Sequence, residues 1–309
     1  MPRRVHVIIN PSGGQDRPIL GPMNRAFAPA GIDWEVLITK QAGDARRFAQ
    51  EAARAGVDAV GVYGGDGTVM EVASGLVGTR VPLAIFPGGT ANVMSVELGI
   101  PSDLAEAMAL VCEEECATRL VDMGKIGDGY FLLRVGVGFE AEMVEGADRE
   151  LKDKLGVLAY GVSAVQALRE PAVSRYRIRI DDREVETEGM TCIIANTGSF
   201  GKIGLMLAPT IDVSDGCLDV IVVRKADVPS LLSVAASLVA GNERAEPLQH
   251  WQGRAIRVEA DPPQPVQVDG EVLGESPVEA TVLPGAVKVI VPRTTRELGP
   301  HTGSSGGAR

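Results

Sequence analysis

In the N-terminal third of the chain, three β-rich apolar runs each end in a turn of small residues. Val5–Asn10 leads into Pro11-Ser12-Gly13-Gly14, Ala59–Tyr63 into Gly64-Gly65-Asp66-Gly67-Thr68, and Pro82–Phe86 into Pro87-Gly88-Gly89-Thr90-Ala91-Asn92. Helix-like stretches at 18–30, 43–55, 69–76, 91–98 and 102–116 separate or follow them, and Trp34–Thr39 is a further strand pattern. Strands that alternate with helices are joined by crossovers. They therefore lie parallel, with helices on both faces, in a three-layer α/β domain. Ligands of such a sheet bind beyond the carboxyl ends of its strands, so all three turns face one crevice. Glycine lets backbone N–H groups approach a phosphate with no Cβ in the way, and a following helix adds its positive N-terminus. The arrangement points to a bound nucleotide.

The kind of nucleotide site narrows by exclusion. The chain has no GxxxxGK[ST], which excludes a P-loop, and no GxGxxG after the first strand, which argues against a Rossmann dinucleotide site. Gly64-Gly65-Asp66-Gly67-Thr68 instead sets one carboxylate among glycines. A carboxylate beside a phosphate makes sense if a cation or a substrate hydroxyl lies between them. The competing reading is a surface turn in which Asp66 caps the next helix.

From about Val121 β patterns dominate, at 121–126, 130–138, 175–180, 184–196, 217–223, 254–260, 265–269 and 278–292, with Asp181-Asp182 as a hairpin turn. Helical stretches at 140–170 and 228–241 interrupt them. The expected organisation is an α/β domain over 1–124, a mostly antiparallel β-sandwich over 125–295, and a disordered Gly/Ser-rich tail over 296–309.

Composition limits the partners. The 309 residues carry 30 Lys plus Arg against 41 Asp plus Glu, a net charge of −11. So acidic a chain argues against broad nucleic-acid binding, which needs a basic face. No uncharged apolar run reaches the 18 to 20 residues of a membrane span, and the N-terminus lacks a signal-peptide pattern, so a cytoplasmic location is expected. Four cysteines, none in a CxxC pair, do not make a disulfide scaffold.

Taken together, these motifs resemble the diacylglycerol kinase catalytic-domain family, which includes bacterial lipid kinases and the sphingosine and ceramide kinases. The resemblance rests on Ile9–Gly14, Thr39 with Ala42–Ala45, Gly64–Thr68 and Phe86–Asn92. It continues through Asn196-Thr197-Gly198, Ala208-Pro209, Asp215–Asp219, Val268–Glu271 and Pro284-Gly285. It implies that ATP contacts Asn10, Pro11, Ser12, Gly13, Gly14, Thr39, Gly64, Gly65, Asp66, Gly67, Thr68, Val69, Met70, Gly89, Thr90 and Asn92. It implies a catalytic set of Glu271, Asp66 and Asp269, in which Glu271 takes the proton from the acceptor hydroxyl and Asp66 sits near the phosphates and magnesium. It also implies a metal site at Asp212, Asp215 and Cys217, the last through its backbone carbonyl.

The implied reaction is transfer of the γ-phosphate of ATP to a lipid hydroxyl, with diacylglycerol as the leading acceptor. An NAD kinase-like phosphotransferase and a catalytically silent nucleotide-binding regulator are the alternatives. The implied partner is a lipid at a membrane surface, reached peripherally. The apolar stretch Pro229–Ala240 borders the lipid tail or packs on the β domain, and an exposed strand edge could pair two copies into a homodimer.

Overall fold

The structure is a computed structural model, and residues 3–13, 18–138, 173–199, 207–208, 210–224 and 248–293 are described. Gly14, Pro209, both expected helices at 140–170 and 228–241, and the tail after residue 293 lie outside these residues.

The α/β expectation holds. Strands β1 (Arg4–Ile9), β2 (Asp33–Ile38), β3 (Ala59–Gly64) and β4 (Leu83–Pro87) pair in parallel in the order β2-β1-β3-β4. Helices α1 (Leu20–Phe27), α2 (Asp44–Arg54), α3 (Asp66–Leu76), α4 (Val93–Glu97) and α5 (Leu104–Cys112) accompany them. β3 and β4 are buried at every residue, as strands covered on both faces must be. The three glycine turns, after β1, β3 and β4, come out at one end of this sheet because the strands point the same way.

The second half is antiparallel. One part of it continues the first sheet through β16 (Val278–Ile290), β13 (Ala255–Asp261), β8 (Ser174–Ile180) and β9 (Arg183–Gly189), with β5 (Thr118–Ile126) and β6 (Gly129–Phe131) paired beside β16. The other part is a separate sheet in the order β12 (Leu248–Gly253), β11 (Leu218–Val223), β10 (Thr191–Ala195), β7 (Arg134–Gly138), β14 (Pro265–Val268) and β15 (Glu271–Glu275). Alternate residues of the two sheets, among them Tyr176, Ile178, Ile180, Val220, Val222 and Val258, fill the space between them. β8 reads Ser-Arg-Tyr-Arg-Ile-Arg-Ile and alternates buried and exposed over its whole length.

Two sequence expectations change. The pattern over 184–196 is two strands, not one. The chain leaves β9 at Gly189 and enters β10 in the other sheet after Met190, where the pattern changes from glutamates at every second residue to a continuous buried run. The pattern over 130–138 likewise breaks at Leu132-Leu133 between β6 and β7. β16 has a further role. Val289 pairs in parallel with Leu83 of β4, and Val287, Val289, Ile290 and Val291 join the α/β core. The last strand thereby ties the two halves into one continuous sheet, which fixes where the β14–β15 turn meets the glycine turns.

Candidate active site

A cavity of about 420 Å³ opens where the turns converge, lined by Asn10, Ser12, Gly13, Thr39, Lys40, Gln41, Ala42, Ala45, Gly65, Gly67, Thr68, Glu71 and Glu271. Eight of these are residues that the sequence marked for the site. The wall is stitched by local bonds. Asn10 Oδ1 accepts from the Ser12 amide at 3.0 Å, and Asn10 Nδ2 donates to Thr68 Oγ1 at 2.9 Å. One asparagine thus shapes the first turn and fastens it to the start of α3. A Cβ on Gly89 would lie 2.6 Å from the Gly65 Cα, so Gly89 is required by close backbone approach, and one on Gly64 would lie 2.8 Å from the Cβ of the Thr68 side chain packed against it.

Glu271 is the exposed first residue of β15 and comes from the other half of the chain. The turn before it is held by Asp269, which sits at φ +47 with Gly270 at φ +95. Asp269 Oδ2 accepts from the Leu132 amide at 2.7 Å, and its Oδ1 accepts from the amides of Leu133 at 3.0 Å and Arg134 at 2.9 Å. Burial pushes the Asp269 carboxyl up to about 6, against those three amides and the nearby Arg134 charge, which favour the ionised form. Asp269 therefore anchors the turn that presents Glu271, and its oxygens are engaged with the β6–β7 segment.

Asp66 is also placed as an anchor. Its Oδ1 accepts from the Val93 amide at 2.7 Å, tying the start of α3 to the start of α4, and it is not among the residues that line the cavity. Burial raises its carboxyl above the ordinary value, opposed by the amides of Val93, Met94 and Asn92 and by the Arg134 charge. Asp66 thus does not cap the helix that follows it, since α3 begins at Asp66 with no side-chain cap, and it bonds instead to the first residue of α4. Gly89 and Asn92 close the third turn on themselves, with the Gly89 amide donating to Asn92 Oδ1 and Asn92 Nδ2 donating to the Gly89 carbonyl, both at 2.8 Å. Val69 lies in the core, and Met70 packs against that core. Pro11, Gly64 and Thr90 do not line the cavity.

The sequence missed three polar contributors to the wall. Lys40 and Gln41 extend the Thr39 turn into the wall, and Lys40 is the cation among the lining residues. Glu71 stands four residues after Gly67 on α3, so the two share a helix face, a spacing that could have revealed it. Its two carboxylate oxygens accept from the Gly43 amide at 2.9 Å and the Ala45 amide at 3.1 Å, which fills the N-terminus of α2 with a built-in anion. Asp122, which does not line the cavity, accepts from the amides of Gly216 and Gly285 at 2.6 Å each.

The sequence-marked metal residues are committed elsewhere. Asp212 pairs with Arg119 and accepts from the Ser214 amide, while Asp215 accepts from the Cys217 amide and from Gln252 Nε2. Among the described residues no group of three or more His, Cys, Asp or Glu side chains converges as a metal shell. The glycine-lined cavity does fit a nucleotide.

The chain matches two family profiles, the diacylglycerol kinase catalytic domain over residues 4–126 and the YegS C-terminal NAD kinase beta sandwich-like domain over residues 134–291. It is 39% identical over 234 residues to an uncharacterised protein of Synechocystis sp., covering 74% of this chain but only 54% of that longer relative. It is 33% identical to a Pseudomonas aeruginosa protein named "Probable lipid kinase YegS-like", covering 85% of this chain and 86% of the relative. Among solved structures it is similar to a diacylglycerol kinase of Bacillus anthracis str. Sterne, with a TM-score of 0.73, 26% identity, and coverage of 95% of this chain and 98% of that one. No described helix is long and apolar enough to cross a membrane. With both halves matched in order and the glycine turns and the Asp269-Gly270-Glu271 turn meeting at one cavity, the chain belongs to the diacylglycerol kinase and YegS-like lipid kinase family.

Proposed function

We propose that the protein transfers the γ-phosphate of magnesium-bound ATP to the hydroxyl of a lipid, diacylglycerol being the leading acceptor, at a membrane surface that it approaches from the water side. The observation that carries this reading is the presence of Glu271 on the same cavity wall as Asn10, Gly13, Gly65, Gly67 and Thr68.

Phosphoryl transfer depends on positioning and charge stabilisation more than on covalent help from the protein. The Gly65–Thr68 turn and Gly13 let backbone amides close on the phosphates, and Lys40 adds a positive charge on the wall. Magnesium, when bound with the nucleotide, neutralises phosphate charge. Glu271 accepts the hydroxyl proton as the acceptor oxygen forms its bond to the γ-phosphorus. The bond from that phosphorus to the bridging oxygen breaks, and ADP leaves with the electron pair. Asp66 and Asp269 act as positioning residues, the first on the turn that meets the phosphates and the second on the turn that carries the base.

The test is incubation of the purified protein with labelled ATP, magnesium and a panel of lipids in mixed micelles. The panel holds diacylglycerol, monoacylglycerol, ceramide, sphingosine, phosphatidylglycerol and a polyprenol, with NAD as a soluble control. Label should pass to one lipid and be lost in Glu271→Gln, with ATP binding kept. Label on NAD alone, or tight ATP binding without transfer to any acceptor, would overturn the reading.

A further inference from the structure

We propose that the outer edge of β15, carrying Val272 and Leu273, is the surface on which the protein meets the apolar phase of its acceptor, an uncharged or zwitterionic lipid layer. This rests on the lipid-kinase reading above and adds to it where the tail of the acceptor leaves the cavity and what kind of surface it leaves into.

Val272 and Leu273 are 51% and 57% exposed, and they are adjacent. Every residue of β15 is exposed, and β15 is the last strand of its sheet. Among the described residues no strand pairs with its outer edge. Large apolar side chains on an open edge invite association, and proteins usually suppress them unless the edge has a use.

The ladder is modified at this point. Gln267 pairs with Val272 and Val266 pairs with Gly274, so Leu273 is an extra residue in a bulge. Gly274, at φ +148, follows it. A bulge bends the strand and re-aims the side chain that it leaves unpaired, and bulges recur beside active sites.

The edge is also continuous with the cavity. Glu271 lines the cavity, and Val272 is the next residue. Of β15 only Glu271 lines the cavity, and the next side chains along the strand, Val272 and Leu273, are apolar and exposed. That suits a lipid tail and does not suit a soluble polar acceptor.

The charges decide against the other occupant, a second copy of the chain. Antiparallel pairing of β15 with itself about Leu273 would set Glu271 opposite Glu275 of the other copy, and like charges directly opposite destabilise a ladder. The bulge spoils the same ladder. These two glutamates also repel an anionic lipid surface, which favours a neutral one.

The experiment compares the wild type with Val272→Thr/Leu273→Thr, which keeps β propensity while removing the apolar surface, and with Leu273→Phe, which keeps it. Each is measured by flotation with phosphatidylcholine vesicles holding long-chain diacylglycerol, by phosphate transfer in those vesicles, by transfer to a water-soluble short-chain diacylglycerol, and by mass in light scattering. The double threonine variant should lose about tenfold or more in flotation and in vesicle activity. Its transfer to the soluble acceptor and its mass should match the wild type, and Leu273→Phe should keep vesicle binding. Unchanged flotation, equal loss on the soluble acceptor, or a fall in mass would overturn the proposal, the last by showing that a second copy covers the edge. A wild type that floats but phosphorylates no lipid would overturn the function while leaving the surface standing. Transfer by the wild type with indistinguishable variants would overturn the surface alone.

Discussion

The carboxylate of Asp66 accepts the Val93 amide at 2.7 Å, so the residue at the centre of the second glycine turn is the clasp that holds the helix of the third. A side chain that the sequence offers as a phosphate neighbour is built into the frame of the site.

Asp66→Ala should therefore destabilise the protein by about 0.5–2 kcal/mol, the usual cost of a lost cap. Asp66→Asn keeps an oxygen for the Val93 amide and should lose less. Urea midpoints of the two variants, set beside their transfer rates, separate the clasp from any effect of the charge. Near-native stability with lost activity in the asparagine variant would show that the charge itself is needed.

Asp269 predicts a pH dependence with a definite sign. Its folded carboxyl titrates near 6, above the ordinary value near 3.9. Between those values the folded state holds a proton that the unfolded chain has lost. The stability from this group is present in full below about pH 4 and declines as pH rises to 6, by at most about 1.4 kcal/mol per unit. Asp269→Asn should flatten stability over that window in denaturant titrations. It should also be less stable overall, because its amide nitrogen cannot accept from the amides of Leu132, Leu133 and Arg134.

The glycines of the site should not respond alike. A Cβ at Gly89 meets the Gly65 Cα at 2.6 Å, so Gly89→Ala should cost about 1–3 kcal/mol and weaken nucleotide binding measured by calorimetry. Gly67, on the exposed face of α3, has nothing within 4 Å of its Cβ position. Gly67→Ala should be tolerated, and it should gain up to about 1 kcal/mol of helix propensity if the bound phosphate leaves room for the methyl.

Glu71→Ala should free the amides of Gly43 and Ala45 at the start of α2. The loss of two hydrogen bonds should lower stability by about 1–3 kcal/mol. It should also open a second anion site at the Thr39–Ala45 end of the cavity, seen as inorganic phosphate binding that the wild type lacks.

The sequence by itself determined the parallel α/β half, the antiparallel half and the glycine turns, because these are written in local patterns. β-rich runs alternate with helical ones, Gly64–Thr68 and Pro87–Asn92 follow their strands directly, and β8 alternates in and out at every residue. It could not decide which side chains face the cavity. Asp66 and Gly67 are neighbours, yet one is turned into a cap and the other lines the wall, a choice made by where Val93 lies in space. The break at Met190 was legible only as the change from alternating glutamates in β9 to the continuous apolar Thr191–Ala195, and which sheet each strand joins was decided by tertiary pairing. Only the tertiary structure decided the meeting of Glu271 with the glycine turns. β16 returns to pair with β4 at Val289 and Leu83, and that long-range pairing brings the second half of the chain over the first. Contacts between residues so distant in sequence leave no periodic trace in it, because their energy resides in packing and hydrogen bonds that exist only once the chain has folded.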